Sequence, residues 1–141
     1  NYMMNRILAI DYGERKIGLA ISDPLCIIAK PYKTITNNSK KDLLDNIKKI
    51  IKSKNINKIV IGLPITLKNT FSKQTHKVQE FIDYISNSLD IEIIVVDERL
   101  SSLEAKKSLI NQGIKTGHNK EDIDMTAAAL FLQNYLNYLE K

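Results

Sequence analysis

Apolar positions along the chain recur with two periods, and the points where one gives way to the other mark the elements. Ile7 to Ile10 is an apolar run that suits a buried strand, and it ends in Asp11. Tyr12 and Gly13 follow, then the charged residues Glu14, Arg15 and Lys16, then a second apolar segment from Ile17 to Ile21. So short a gap predicts an antiparallel hairpin. Ile27 to Ile35 is a weaker third strand interrupted by Pro31, a residue easier to place at a sheet edge or a bulge than in mid-sheet. Leu43, Leu44, Ile47, Ile50 and Ile51 then repeat at helical spacing among lysines, which predicts an amphipathic helix over 40–54 with Ser39 and Asp42 at its start.

Lys58 to Leu63 is a buried strand that follows a helix, and that order implies a parallel pairing through a crossover. Gly62-Leu63-Pro64 closes it, and a polar loop runs from Ile65 to about Ser72. Val78, Phe81, Ile82, Ile85 and Leu89 define a helix over 73–89. Ile91 to Val96 is the fifth strand, and it runs into Asp97, Glu98 and Arg99. Ser101 with Glu104 makes a capping box for a helix that Gly113 ends. The last helix spans 121–139, where Asp124, Ala128, Phe131 and Tyr135 share a face and Ala127 to Ala129 permit close packing. The pattern predicts one α/β domain, residues 4–141, with the Arg6–Asp11 strand central and helices on both faces of a mixed sheet.

Composition narrows the function classes. The 141 residues are 43% hydrophobic, enough to build one core, and no apolar run reaches the roughly 20 residues that cross a bilayer. No membrane role is expected. The single cysteine, Cys26, permits no internal disulfide and fits a reducing, cytoplasmic setting. A net charge of +5 suits a polyanionic partner, and it equally suits the Lys-, Asn- and Ile-rich drift of an AT-rich genome. Charge alone decides nothing.

Three carboxylates carry the chemistry. Asp11 ends one buried strand, Glu98 follows the end of another, and Asp124 stands on the inward face of the last helix. A carboxylate at the end of a buried strand is costly without a partner, and a cation is the obvious one; the plain alternative is that Asp11 starts a turn. If the first, fourth and fifth strands are parallel neighbours, Asp11 and Glu98 lie side by side and Asp124 approaches from the helix. Clustered oxygen donors suit Mg²⁺ or Mn²⁺, and two such ions about 3.5–4 Å apart serve phosphodiester hydrolysis. No Cys/His cluster offers a zinc site, and His76 and His118 are the only histidines; His118 reads as a surface residue. Several of Arg15, Lys16, Lys68, Lys73, Arg99 and Lys115 are expected to border the acids, where they hold phosphates of a nucleic acid.

The segments AIDYGERKIGLAISD, IVIGLP, VVDERLSSLEA and DIDMTAAALFLQNYL together resemble the YqgF-type proteins, which are described as Holliday junction resolvases and as pre-16S rRNA processing nucleases. The resemblance spans nearly the whole chain and implies an RNase H-like fold with a central five-stranded mixed sheet. It also implies a divalent-metal nuclease with Asp11, Glu98 and Asp124 as its acids. One departure is that the loop from Ile65 to Ser72 has no glycine, where the family usually has one. The nucleic acid is then pre-rRNA or branched DNA, and the chain a monomer or homodimer. Two rivals remain: a non-catalytic nucleic-acid-binding module on the same fold, and a sugar-kinase or actin-like ATPase, which needs a second domain for which 141 residues leave no room.

Overall fold

A computed structural model describes residues 5–65, 68, 71–99, 103–111 and 120–140; the side chains of residues 104 and 120–126 lie outside that description. Nine elements run in the order β1 (Arg6–Asp11), β2 (Lys16–Ser22), β3 (Ala29–Thr36), α1 (Lys40–Lys54), β4 (Ile56–Leu63), α2 (Lys73–Ser88), β5 (Glu92–Asp97), α3 (Leu103–Asn111) and α4 (Lys120–Leu139) among the described residues. The five strands form one sheet in the order β3-β2-β1-β4-β5. β1 pairs antiparallel with β2 and parallel with β4, and β4 pairs parallel with β5. β1 is therefore the central strand, as its uninterrupted apolar run implies.

The sheet has two buried faces because its strands alternate between two sets of apolar side chains. Leu8, Ile10, Leu19, Ile59 and Ile61 face α1 and α2, meeting Leu43, Ile47, Val78, Phe81 and Ile85. Ile7, Ala9, Ala20 and Val60 face the other way, onto Ala128, Ala129, Phe131, Leu132 and Leu136 of α4. Alanines on both sides of that second interface let α4 lie close to the sheet. Buried Gln133 of α4 fastens it there, accepting from the Ala29 amide at 2.9 Å and donating to the Ile27 carbonyl at 3.0 Å.

Two strand starts move by two residues from the sequence expectation, each for a local reason. β4 starts at Ile56, not Lys58, because Asn55 takes a left-handed conformation (φ 56°) and turns the chain straight out of α1. β3 starts at Ala29, not Ile27, because the Asp23 carboxylate accepts from the amides of Ile27 and Ile28 and holds that stretch as a turn. Pro31 lies on an edge strand, and the β2–β3 register shifts beside it. α2 carries a capping box that the residue types did not suggest, with Thr75 in the place usually held by Glu or Gln opposite Ser72. Ser101, expected to open α3, and Gly113, expected to end it, lie outside the described residues.

Candidate active site

Strand alternation settles which way the acids face. Ile7 and Ala9 point to the α4 layer, so Asp11, two residues on, takes the same side, and it is half-buried. Ile94 and Val96 of β5 pack on the same layer, and Glu98 is the next step of that alternation. The Glu98 amide donates to the Leu63 carbonyl at 3.2 Å, which carries the parallel ladder one residue beyond β5. Both carboxylates thus stand at the carboxyl ends of parallel strands, the edge where open α/β sheets bind ligands.

They do not stand on adjacent strands. β4 lies between β1 and β5, with Ile10 level with Ile61 and Ile61 level with Val95. This corrects the side-by-side placement: the two acids flank β4, two strand spacings apart with Glu98 two residues further along, about 12 Å apart at the backbone. The residue of β4 level with Asp11 is Gly62, and its missing side chain is filled from α4. A Cβ there would lie 2.7 Å from Phe131 Cε2, so only glycine lets the Phe131 ring seat against the strand.

Phe131 also fixes the direction of α4. Its ring meets β4 near the strand's carboxyl end, while Tyr135 accepts a hydrogen bond from Lys58 near the strand's beginning, at 3.2 Å. α4 therefore runs antiparallel to β4. Asp124, seven residues before Phe131, falls about 10 Å further along the helix axis, past the carboxyl ends of the strands. The side chain of Asp124 lies outside the described residues. Among the described residues no group of three or more His, Cys, Asp or Glu side chains gathers at metal-ligating spacing. Asp11 and Glu98 are nevertheless all-oxygen donors on one face, which fits a hard divalent cation better than zinc.

The turn after Asp11 is tied down on three sides. The Tyr12 ring stacks on Phe81 with centroids 4.5 Å apart, and the Gln74 side chain donates to the Tyr12 carbonyl at 3.4 Å. The Asn37 side chain donates to the Gly13 carbonyl at 3.0 Å and the Asn37 amide to the Arg15 carbonyl at 2.8 Å. A Cβ on Gly13 would run into the Lys16 carbonyl oxygen, so the turn can close this tightly only with glycine. The first turn of α2 joins the same corner, as the Thr75 hydroxyl donates to the Pro64 carbonyl.

The expected basic residues divide into three groups. Arg15, Lys68 and Lys73 are exposed, and Lys16 is half-buried where β2 begins. Arg99 donates from Nε and Nη2 to both oxygens of Asp97 and from its amide to Oδ1, and holds that carboxyl below its ordinary value. Lys115 and His118 lie outside the described residues. Lys77 and Glu14, which pair with each other beside Arg15, were missed by the sequence reading. Nothing in the periodicity of α2 separates Lys77 from a solvated lysine; only the contact with the hairpin does.

The RuvX model, described as Holliday junction resolvase, matches residues 5–138. This chain belongs to the RuvX family. It is the family, also called YqgF, that the four motifs resemble. Relatives share about two residues in five across almost their whole length. The chain is 43% identical over 138 residues to a protein of Sulfurihydrogenibium, covering 96% of this chain and 92% of the relative. It is 40% identical over 136 residues to one of Clostridium botulinum, covering 96% and 99%. Both relatives carry the name "Putative pre-16S rRNA nuclease". Among solved structures, Thermus thermophilus RuvC in complex with a Holliday junction substrate matches with a TM-score of 0.63 at 9% identity, covering 96% of each chain. The yeast mitochondrial Holliday junction resolvase matches with a TM-score of 0.59 at 10% identity, covering 99% of this chain and 80% of that one. At such identities the likeness is one of fold, and the RuvX chain has the RNase H-like fold that its motifs imply.

Proposed function

We propose that this RuvX chain is a divalent-metal-dependent nuclease that hydrolyses phosphodiester bonds in processing the 5′ end of pre-16S rRNA in the cytoplasm. The observation that carries the reading is the shared face of Asp11 and Glu98 at the carboxyl edge of the sheet, with the α4 backbone bringing position 124 to the same edge. The relatives' name supports the choice of RNA.

In this reading Asp11, Glu98 and Asp124 are the acids that hold Mg²⁺ or Mn²⁺. A bound cation supplies charge neutralisation at the phosphate and a more acidic water. Asp11 offers its carboxylate from a strand paired on both sides, so it sets the position that Glu98, with one more methylene of reach, meets from the other side of β4. Arg15, Lys16, Lys68, Lys73, Arg99 and Lys115 contribute attraction for the phosphate backbone without reading bases.

The family model's description favours one second reading, resolution of a four-way DNA junction. Labelled pre-16S rRNA and a synthetic junction, incubated side by side with Mg²⁺, Mn²⁺ or EDTA, separate the two. The expected result is metal-dependent cleavage of the rRNA precursor that EDTA abolishes. Cleavage of the junction alone selects the second reading, and binding of either without cleavage makes the chain a non-catalytic module.

A further inference from the structure

Glu14 lies three residues after Asp11, in the connection between β1 and β2, and its carboxylate accepts a hydrogen bond from the Lys77 ammonium of α2. Lys73 precedes Lys77 by one helical turn, so both ammonium groups leave the same side of α2. Arg15 is the next residue in the chain. The Glu14 carboxyl is held below its ordinary value by Lys77 first, and by Lys73 and Arg15 in addition. Three cations therefore gather around one acid. The backbone beneath them is fixed by the Gln74, Asn37 and Tyr12 contacts of the hairpin corner.

This pairing does little for the fold. The Glu14 side chain is 68% exposed and that of Lys77 is 36% exposed, and an ion pair so open to water adds little stability. Three cations about one oxyanion match what a phosphodiester requires. Glu14 is also close to the acids: three residues of chain span at most about 11 Å. That is within about three nucleotide steps at 3.4 Å of axial rise per strand.

We propose that Lys77, Lys73 and Arg15 form a subsite for a backbone phosphate of the nucleic-acid strand, and that Glu14 fills this subsite as an internal counter-anion until the strand displaces it. The subsite rests on the nuclease reading only in requiring a nucleic-acid ligand. Its consequence is that Glu14 lowers affinity for every polyanion, and that a strand must reach the hairpin corner to recover the three cations.

The test uses the full chain in EDTA, so that nothing is cleaved, and follows the fluorescence anisotropy of a labelled single-stranded RNA as salt is raised. Glu14→Gln removes the counter-anion and keeps the side chain's size. It should tighten binding and steepen the dependence of log affinity on log salt by about 0.7, the value for one more phosphate neutralised on a single strand. The gain should then be about threefold larger at 50 mM than at 200 mM salt. Asp83→Asn, on the exposed side of α2, changes net charge equally and should leave the slope alone. In a Lys77→Gln background the effect of Glu14→Gln should shrink, because the cation in direct contact with Glu14 is gone and only Lys73 and Arg15 remain to be released. A Glu14→Gln gain that is undiminished without Lys77, or that Asp83→Asn reproduces, would show a general charge effect and overturn the subsite. So would an unchanged slope in Glu14→Gln while the unaltered protein binds RNA normally. An unaltered protein that binds neither RNA nor junction at low salt would overturn both the subsite and the nuclease reading.

Discussion

The two acids that flank β4 are held in very different ways. Asp11 ends a strand with neighbours on both sides and with Leu8, Ala9 and Ile10 fully buried behind it. The turn that follows is fastened by Phe81, Gln74 and Asn37. Glu98 follows an edge strand whose Val95 is 44% exposed. Its amide reaches Leu63 at 3.2 Å, and the adjacent Asp97–Arg99 ion pair joins residues two apart in sequence, so it stiffens the turn without tying it to the core. The contrast teaches where adjustment can occur. In the proposed reading, a cation held from both sides of β4 would be located by Asp11, and Glu98 would meet it from the end of an edge strand.

Removing the charges breaks that comparison most severely. Asp11→Asn, Glu98→Gln and Asp124→Asn should each lower cleavage by about 10²–10³-fold, the scale on which one charge-stabilising group is felt. Metal-free stability should stay level or rise slightly, because like charges gathered without a cation repel one another. Thermal melts without metal and cleavage assays with it, on the same three variants, check both halves. Variants that are destabilised yet active would identify turn and cap residues instead, for which a loss of about 0.5–2 kcal/mol is typical.

Stability should divide unevenly between the two corners. Phe81 is fully buried beneath Tyr12, so Phe81→Ala should cost about 3–5 kcal/mol in urea unfolding. Val95→Ala on the exposed edge should stay within about 0.5 kcal/mol. Equal losses would mean that the edge strand is held as firmly as the centre.

The same asymmetry governed what could be read from residues alone. β1, α1 and α2 were legible because their apolar spacing is strong and their environment is the core. Asp11 and Glu98 were legible as acids that end buried runs, and the four motifs supplied their grouping. The first, fourth and fifth strands are the parallel neighbours the element order suggested, but the distance this puts between Asp11 and Glu98 was not legible, since periodicity says which face a residue takes and nothing about how far apart two strand ends lie. Asn55 and Asp23 moved two strand boundaries through backbone conformation and side-chain-to-amide bonds, which leave no periodic trace. Lys77 and Gln74 looked like any polar positions on an amphipathic helix. Their meaning lies entirely in the hairpin they touch.

Gly62 offers a subtler probe, because it lies on the strand that separates the corners. Gly62→Ala places a methyl group 2.7 Å from Phe131 Cε2 and forces α4 or its ring to yield, at about 1–3 kcal/mol. α4 also carries Asp124, so cleavage should fall as well, and Phe131→Leu in the same chain should recover part of both losses. If the double variant recovers stability while activity stays lost, strand geometry rather than the seat of α4 connects Gly62 to the site.

The smallest effect expected is at Asp97, and its dependence on pH reveals what holds the Glu98 turn. Arg99 lowers the Asp97 carboxyl in the folded chain, through its side-chain hydrogen bonds first and its backbone amide in addition. A carboxylate with a lowered folded value contributes stability that is present above its unfolded value, about 3.9, and is lost as pH falls through the folded one. Asp97→Asn should therefore melt slightly below the unaltered protein at neutral pH. The gap should stay constant down to about pH 4 and close on further acidification. Melting curves of the two proteins across that range give the answer directly. A gap that persists at low pH would mean that the turn is held by packing and not by charge. In that case Glu98 would be as firmly placed as Asp11, and the comparison between the corners would lose its physical ground.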